Sequence, residues 1–343
     1  MRTSDFDYPL PRELIAQTPV EPRDHSRLLV LDRSDGSITH RRRFYEIEEY
    51  LRPGDLLVLN DTRVMPARLH GRRWDTGGKV ELLLLNRLAP TLWQAVGRLG
   101  KGIRVGSALM LGQDRPSEAW IVEKRDDGTF IVSLDEGVLE EAGEVPLPPY
   151  IKEPLMDQER YQTVYSRVPG SAAAPTAGLH FTWRLLERMK ARGVRLAFVT
   201  LHIGLDTFQP VREEDPREHK LHSEYWEMDA ETADAINAAR SEGRRIIAVG
   251  STSARILEEE ARMFAEGEGF RMRPYSGWAD IYILPGHRFL AVDALVTNFH
   301  LPRSTLLMLV CAFAGQELVL KAYQEAIEHR YRFYSLGDGM LIV

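Results

Sequence analysis

Between Arg63 and Leu147 the chain has no apolar period long enough for a helix, whereas helix-length and strand-length segments alternate on both sides of it. That break constrains the fold more than any other feature. Inside it, strand-like segments follow one another at 64–72, 79–85, 93–96, 104–111, 119–123 and 129–134. Gly77-Gly78, Gly100-Lys101-Gly102, Gly106, Gly112 and Asp127-Gly128 punctuate them. Short strands at regular spacing with glycine turns predict a small antiparallel β-barrel. Pro146-Leu147-Pro148-Pro149-Tyr150 then reads as a stiff linker.

The flanks predict a different architecture. A buried strand at 28–32, a short amphipathic helix at 44–51 and a strand at 55–59 precede the break. After the linker come a helix at 182–192, a strand at 194–202, a helix at 229–242 and a strand at 245–250. A helix at 254–265, opened by Ser251-Thr252-Ser253, a strand at 281–284 and helices at 304–314 and 317–330 complete the series. This alternation predicts an α/β domain with a helix-covered, mostly parallel sheet, or a barrel-like equivalent, into which the small barrel is inserted. The expected divisions are 1–63 and 150–343 for the α/β domain and 64–149 for the barrel. A chain of 343 residues exceeds one typical core, which agrees with two domains.

Composition narrows the function classes. Cys311 is the single cysteine, so an internal disulfide and a cysteine-cluster metal site are excluded, and a reducing cytoplasm is expected. The polar start, Met1-Arg2-Thr3-Ser4-Asp5, has no apolar signal core, and the run 306–314 is too short to span a bilayer. A net charge of −6 does not by itself suggest a nucleic-acid binder. The basic residues are mostly arginine and cluster at 41–43, at 68, 72 and 73, and at 330 and 332. Any one cluster is more often a solvated face than a site.

Residues 170–182, Gly-Ser-Ala-Ala-Ala-Pro-Thr-Ala-Gly-Leu-His-Phe-Thr, are too small to fill a core. They allow close approach of a ligand or of another part of the chain. His180 closes the stretch, and Thr182 is placed to cap the helix that follows. A tight packing turn with a core histidine is the equally weighted alternative. No GxGxxG follows a strand and no GxxxxGK[ST] occurs, which argues against a dinucleotide fold and a P-loop enzyme. Val249-Gly250-Ser251-Thr252-Ser253-Ala254-Arg255 is a strand, a hydroxyl-rich turn and a helix start, suited to an anion, although a plain cap is favoured by spacing alone. His202 stands at a strand end and His300 just before a helix; His219, His222 and Glu224 have a spacing that could recruit a metal, but HExxH is absent and their charged neighbours predict a loop. A metal-free site using one or two histidines for acid–base work is expected.

Several longer blocks carry a resemblance. They are Asn60-Asp61-Thr62-Arg63-Val64 with Pro66-Ala67-Arg68-Leu69, Glu159 to Tyr165, Ala173 to Thr182, Thr297 to Pro302 with Ser304 to Val310, and Tyr331-Arg332-Phe333 with Gly337-Asp338. Over essentially the whole chain they resemble the S-adenosylmethionine:tRNA ribosyltransferase-isomerases of queuosine biosynthesis. The chain departs from that pattern at Asp206, Ser251 and Trp278-Ala279.

The resemblance implies an α/β domain interrupted by a β-barrel. It implies transfer of the ribosyl part of S-adenosylmethionine to 7-aminomethyl-7-deazaguanine at the wobble position of a tRNA with a GUN anticodon. Epoxyqueuosine-tRNA, adenine and methionine would result. S-adenosylmethionine is then a consumed co-substrate, and no cofactor or metal is expected. Such chemistry needs a base for a proton beside the sulfonium, an acid for departing adenine and a donor for the methionine carboxylate. His180, His202 and Asp61 are the candidate catalytic residues. Asn60, Arg63, Tyr161, Gln162, Thr176, Gly178, Phe181, Ser251, Thr252, Arg255, Asn298, Phe299 and His300 are candidates for substrate binding. Arg68, Arg72 and Arg73 are candidates for RNA phosphates, with the RNA expected between the two domains. A cytoplasmic monomer without membrane association is expected. The alternatives are a non-catalytic tRNA-binding protein and an RNA methyltransferase of unusual fold.

Overall fold

The structure, a computed structural model, describes residues 1–112, 115–135, 137–204, 211–221, 223–267 and 269–343. Two compact units are present. One comprises Met1–Arg63, Pro148–Val168 and Ala174–Val343; the other comprises Val64–Leu147 and Pro169–Ala173.

The first unit is built on a nine-stranded mixed sheet. In spatial order its strands are Tyr275–Ala279, Glu224–Met228, Arg195–Leu201, Leu56–Asn60, Ile246–Val249, Ala294–Asn298, Gly339–Ile342, Leu28–Leu31 and Ile38–Arg41. The four from Arg195–Leu201 to Ala294–Asn298 are mutually parallel. The Gly339–Ile342 strand runs antiparallel to Ala294–Asn298 and parallel to Leu28–Leu31, so it joins the first strands to the rest.

The central strands are buried on both faces, and their sequences are correspondingly apolar without alternation: Leu-Leu-Val-Leu, Ile-Ile-Ala-Val. On one face Leu57, Leu59, Ile247, Val249 and Val296 meet Leu185, Leu186 and Met189 of the helix Trp183–Ala191, together with Phe44 and Ile47. That helix starts where Thr182 caps it, accepting from the Leu185 amide at 3.1 Å. Helices Ala230–Ser241 and Ser251–Met263 pack on the same strands. Asp229 caps the first of these by accepting from the Thr232 amide at 2.8 Å.

In the second unit six strands close into an antiparallel barrel: Arg68–Arg73, Lys79–Ala89, Leu92–Arg98, Phe130–Leu134, Ser117–Lys124 and Ala108–Leu111, the last pairing back to the first. Closure leaves no open edge. Alternate residues (Leu82, Leu84, Trp93, Ala95, Leu109, Ile121, Val132) fill its core.

Several elements differ from the sequence reading. The 44–51 helix is a 3-10 helix, Phe44–Tyr50. A six-residue helix, Gly137–Ala142, follows the last long barrel strand. The 281–284 segment is not a strand. Its alternating Ile281 and Ile283 are buried, but the Arg255 guanidinium takes the Ile281 carbonyl at 3.2 Å, and Pro285-Gly286 ends the segment. The strands Ala294–Asn298 and Gly339–Ile342 were not anticipated.

Candidate active site at the carboxyl edge of the sheet

The parallel strands end at one edge, so Asn60-Asp61, Leu201-His202, Gly250-Ser251 and Asn298-Phe299 come together there. This is where α/β folds commonly hold ligands. A cleft of about 380 Å³ opens at that edge, lined by Ala174, Pro175, Thr176, Ala177, Ile203, Gly250, Ser251, Thr252, Thr297, Asn298, His300 and Leu306. An adjoining depression of about 330 Å³ shares Thr176, Asn298, His300 and Leu306 and adds Tyr150, Tyr334 and Ser335.

The small-residue stretch supplies one wall through Ala174 and Ala177. Gly178 serves packing instead. A Cβ there would lie 2.1 Å from the Tyr165 hydroxyl, and the Gly178 amide donates to the Pro175 carbonyl at 2.8 Å.

Asn298 connects the cleft to the interior. Its Nδ2 donates to the Tyr334 carbonyl and to His180 Nε2, both at 3.2 Å, while its Oδ1 accepts from the Thr176 hydroxyl at 3.2 Å. With Nε2 accepting, the His180 proton sits on Nδ1 and donates to Ser26 Oγ at 2.8 Å. The ring stacks on Phe44 with centroids 4.7 Å apart. Burial, then the Arg332 and Arg23 guanidiniums, push the His180 pKa down to about 3, so the ring is neutral near neutral pH. Burial also pushes His300 down to about 3; its Nε2 pairs with Thr297 Oγ1 at 2.8 Å.

Asn60 is clamped to the next strand. Its Nδ2 donates to the Leu201 carbonyl and its Oδ1 accepts from the Leu201 amide, each at 3.1 Å. A longer contact of 3.4 Å reaches Thr252 Oγ1. Asp61 is buried and accepts from the Thr200 hydroxyl at 2.6 Å and from Arg167 Nη2 at 2.8 Å. His202 is held through Nδ1 to Thr62 Oγ1 at 2.8 Å and stacks on Tyr225. Burial lowers its pKa, and the Asp61 carboxylate opposes that shift.

The helix Ser251–Met263 begins at Gly250, whose φ is +93°, and no side chain caps its first amides. Ser251 and Thr252 line the cleft beside those amides, so the helix start presents unpaired donors to it.

Asn60, Asp61, His180 and His202 line neither depression, and neither do several other candidates. Arg255 is buried against Glu224, away from the cleft lining. Tyr161 and Phe181 are fully buried, Phe181 within the main core. Phe299 is buried among Tyr323, Tyr331 and Phe333, with an edge on the second depression. The Gln162 carbonyl accepts from Arg23 at 2.8 Å. Arg63 pairs with Glu159 and donates to Ser166 Oγ. Arg68, Arg72 and Arg73 lie on the first barrel strand. Arg68 approaches Glu81 at 3.6 Å, and Arg73 is paired with Asp75 at 2.6 Å. His222 and Asp206 lie outside the described residues. Among the described residues no three His, Cys, Asp or Glu side chains converge to hold a metal ion, and no single helix is long and apolar enough to cross a membrane.

Sequence reasoning missed Ser26, Tyr334, Arg167 and Tyr225. Only Ser26 left a trace, in the polar run Arg23-Asp24-His25-Ser26-Arg27 just before a buried strand.

The queuosine biosynthesis protein family matches residues 3–342. The chain belongs to this family. Relatives named S-adenosylmethionine:tRNA ribosyltransferase-isomerase agree along the full length of both chains. The one from Symbiobacterium thermophilum is 55% identical, and those from Acetivibrio thermocellus and Staphylococcus haemolyticus are each 52% identical. The crystal structure of the S-adenosylmethionine tRNA ribosyltransferase from Thermotoga maritima is 42% identical. It covers 99% of this chain and 100% of its own, with a TM-score of 0.58. The overall fold is therefore shared with a solved S-adenosylmethionine tRNA ribosyltransferase.

Proposed function

We propose that this protein is an S-adenosylmethionine:tRNA ribosyltransferase-isomerase acting in queuosine biosynthesis. The observation that carries this is agreement with enzymes of that name over the whole chain at 51–55% identity. Its substrates are S-adenosylmethionine and a tRNA with a GUN anticodon bearing 7-aminomethyl-7-deazaguanine. The ribosyl unit passes to the base-linked amine, and adenine and methionine leave. It works as a cytoplasmic monomer, without a cofactor or metal.

The donor occupies the carboxyl-edge cleft. Its methionine carboxylate meets the first amides of the helix Ser251–Met263, which have no side-chain cap. Thr176, Asn298 and His300 line the space for the sugar and adenine. His202 moves protons, because Thr62 fixes its Nδ1 and leaves Nε2 for transfer. Asp61, oriented by Thr200 and Arg167, holds the attacking amine. His180 is a positioning residue: buried and bonded at both nitrogens, it fixes Asn298. Arg63, Arg68, Arg72 and Arg73 contact RNA phosphates.

Product analysis tests the reaction. Incubation with S-adenosylmethionine and the modified tRNA should release adenine and methionine in equal amounts. S-adenosylhomocysteine would identify a methyltransferase, and no turnover with intact tRNA binding would identify a binding protein.

A further inference from the structure

A third depression, of about 280 Å³, lies on the far side of His180 from Asn298 and is lined by Arg23, Ser26, Arg160, His180, Ser335 and Gly337 among others. We propose that it binds a phosphodiester of the substrate RNA through Arg23, Arg160 and the Ser26 hydroxyl. The proposal rests on the tRNA reading above and adds a contact that the barrel-strand arginines do not supply.

Two independent observations support it. The first concerns charge. Arg23 donates to the carbonyls of Gln162 at 2.8 Å and Glu159 at 3.4 Å, and Arg160 donates to the carbonyl of Val20 at 2.9 Å. Neutral carbonyls orient a guanidinium without cancelling its charge. Burial and the neighbouring Arg160 lower the Arg23 pKa, as expected where cations crowd. The nearby carboxylates are largely engaged elsewhere: Asp24 accepts from Thr182, Glu159 pairs with Arg63, and Asp338 pairs with Arg27. Asp157 accepts from the Glu159 amide and attracts Arg23. Among the described residues only Glu21 pairs with Arg160, and it also attracts Arg23; its side chain is 66% exposed, free to swing aside.

The second observation is a donor. Ser26 is 3% exposed. Its Oγ accepts from His180 Nδ1–H, so its own proton points elsewhere, and it lines the depression. Two guanidinium forks and one hydroxyl donor match a phosphate oxyanion. The chain Ser26–His180–Asn298–Thr176 then ties the anion to the donor cleft.

Affinity for an anticodon stem-loop measured across salt concentrations tests this, with melting temperatures confirming that each variant folds. Arg160→Gln should lower the log–log salt slope by about 0.7, the value for one phosphate on a single strand. Ser26→Ala should weaken binding by roughly 10–150-fold with little change in slope, as for one lost hydrogen bond to a charged group. Glu21→Gln should tighten binding. Folded Arg160→Gln and Ser26→Ala variants with wild-type affinity and slope would overturn the subsite. So would a raised KM for S-adenosylmethionine with unaltered tRNA binding, since the depression would then hold the donor's carboxylate. Failure of the wild-type protein itself to bind tRNA would instead sink the functional reading on which this one stands.

Discussion

The barrel unit and the carboxyl edge of the sheet bury very different things. Among the described buried polar residues, only Thr129 and Ser171 belong to the barrel unit; Asn60, Asp61, Thr62, His180, Thr200, Ser251, Thr252, Thr297, Asn298 and His300 all belong to the other. Burying a polar group costs free energy unless it is hydrogen-bonded, and each group needs its own partner at a fixed place. The barrel core largely avoids that cost with Leu, Val and Ala side chains that need only volume, the exception being the Trp93 indole N–H, which is buried without a hydrogen-bond partner among the described residues. The carboxyl edge meets it with a network in which Asn298 alone serves Thr176, His180 and Tyr334. A region that could have been apolar and is not is the one where chemistry is expected.

Four substitutions test that contrast. His202→Ala should lower kcat by on the order of 10²–10⁴, the usual share of general acid–base catalysis, with tRNA affinity nearly unchanged. Near-native turnover in a folded variant would remove His202 from the chemistry. Leu82→Ala, in the barrel core, should cost about 2–5 kcal/mol of stability by leaving a cavity. Below its lowered Tm the enzyme should still release adenine; a folded but inactive variant would show that the barrel does more than scaffold.

His180→Gln addresses pH. The folded state excludes the imidazolium, since the pKa is lowered to about 3. The stability that depends on neutral His180 is thus complete above pH 6.5 and is lost as pH falls from there toward 3. The rate of loss approaches about 1.4 kcal/mol per pH unit for each such histidine. Urea titrations at pH 7.5, 6 and 5 should show a shallower decline in the glutamine variant, with His300 and His202 both contributing to what remains. An unchanged decline would mean that His180 titrates normally. The smallest effect is expected at Glu260, whose carboxyl burial pushes up to about 7 while its Oε1 accepts from the Arg273 amide at 2.7 Å. Protonated Glu260 is favoured in the fold, so that stability is full below pH 4.5 and is lost as pH rises through 7. Glu260→Gln should gain about 1–3 kcal/mol at pH 8 and almost nothing at pH 4. Equal stability at both pH values would refute this.

The same contrast explains what was legible in the sequence. The barrel could be read because strand period and glycine turns are local, and the cap at Thr182 could be read because capping is local too. His300 stood out by residue type and Asn298 through the resemblance, but the strand ending at Asn298 did not, because Ala-Leu-Val-Thr-Asn is short and lacks alternation. Ser26 acquires its role from a histidine 154 positions away, and no window contains both. Phe181 and Tyr161 looked like candidates for substrate binding, yet an aromatic ring beside a polar motif is equally what a core needs, and both rings are fully buried.

The placement of the Gly339–Ile342 strand bears on how the molecule is made. Leu28 pairs with Gly339 and Leu31 with Ile342, so the hairpin that includes Ile38–Arg41 reaches the rest of the sheet only through residues translated more than 300 codons later. While the ribosome is still at work, Leu28, Leu29, Val30 and Leu31 have no partner on that side, and their open backbone is a template for mispairing. Closure must wait for a contact of very high sequence separation, which slows folding. Such a chain should depend on holding chaperones early in its life and become independent of them once that strand is seated.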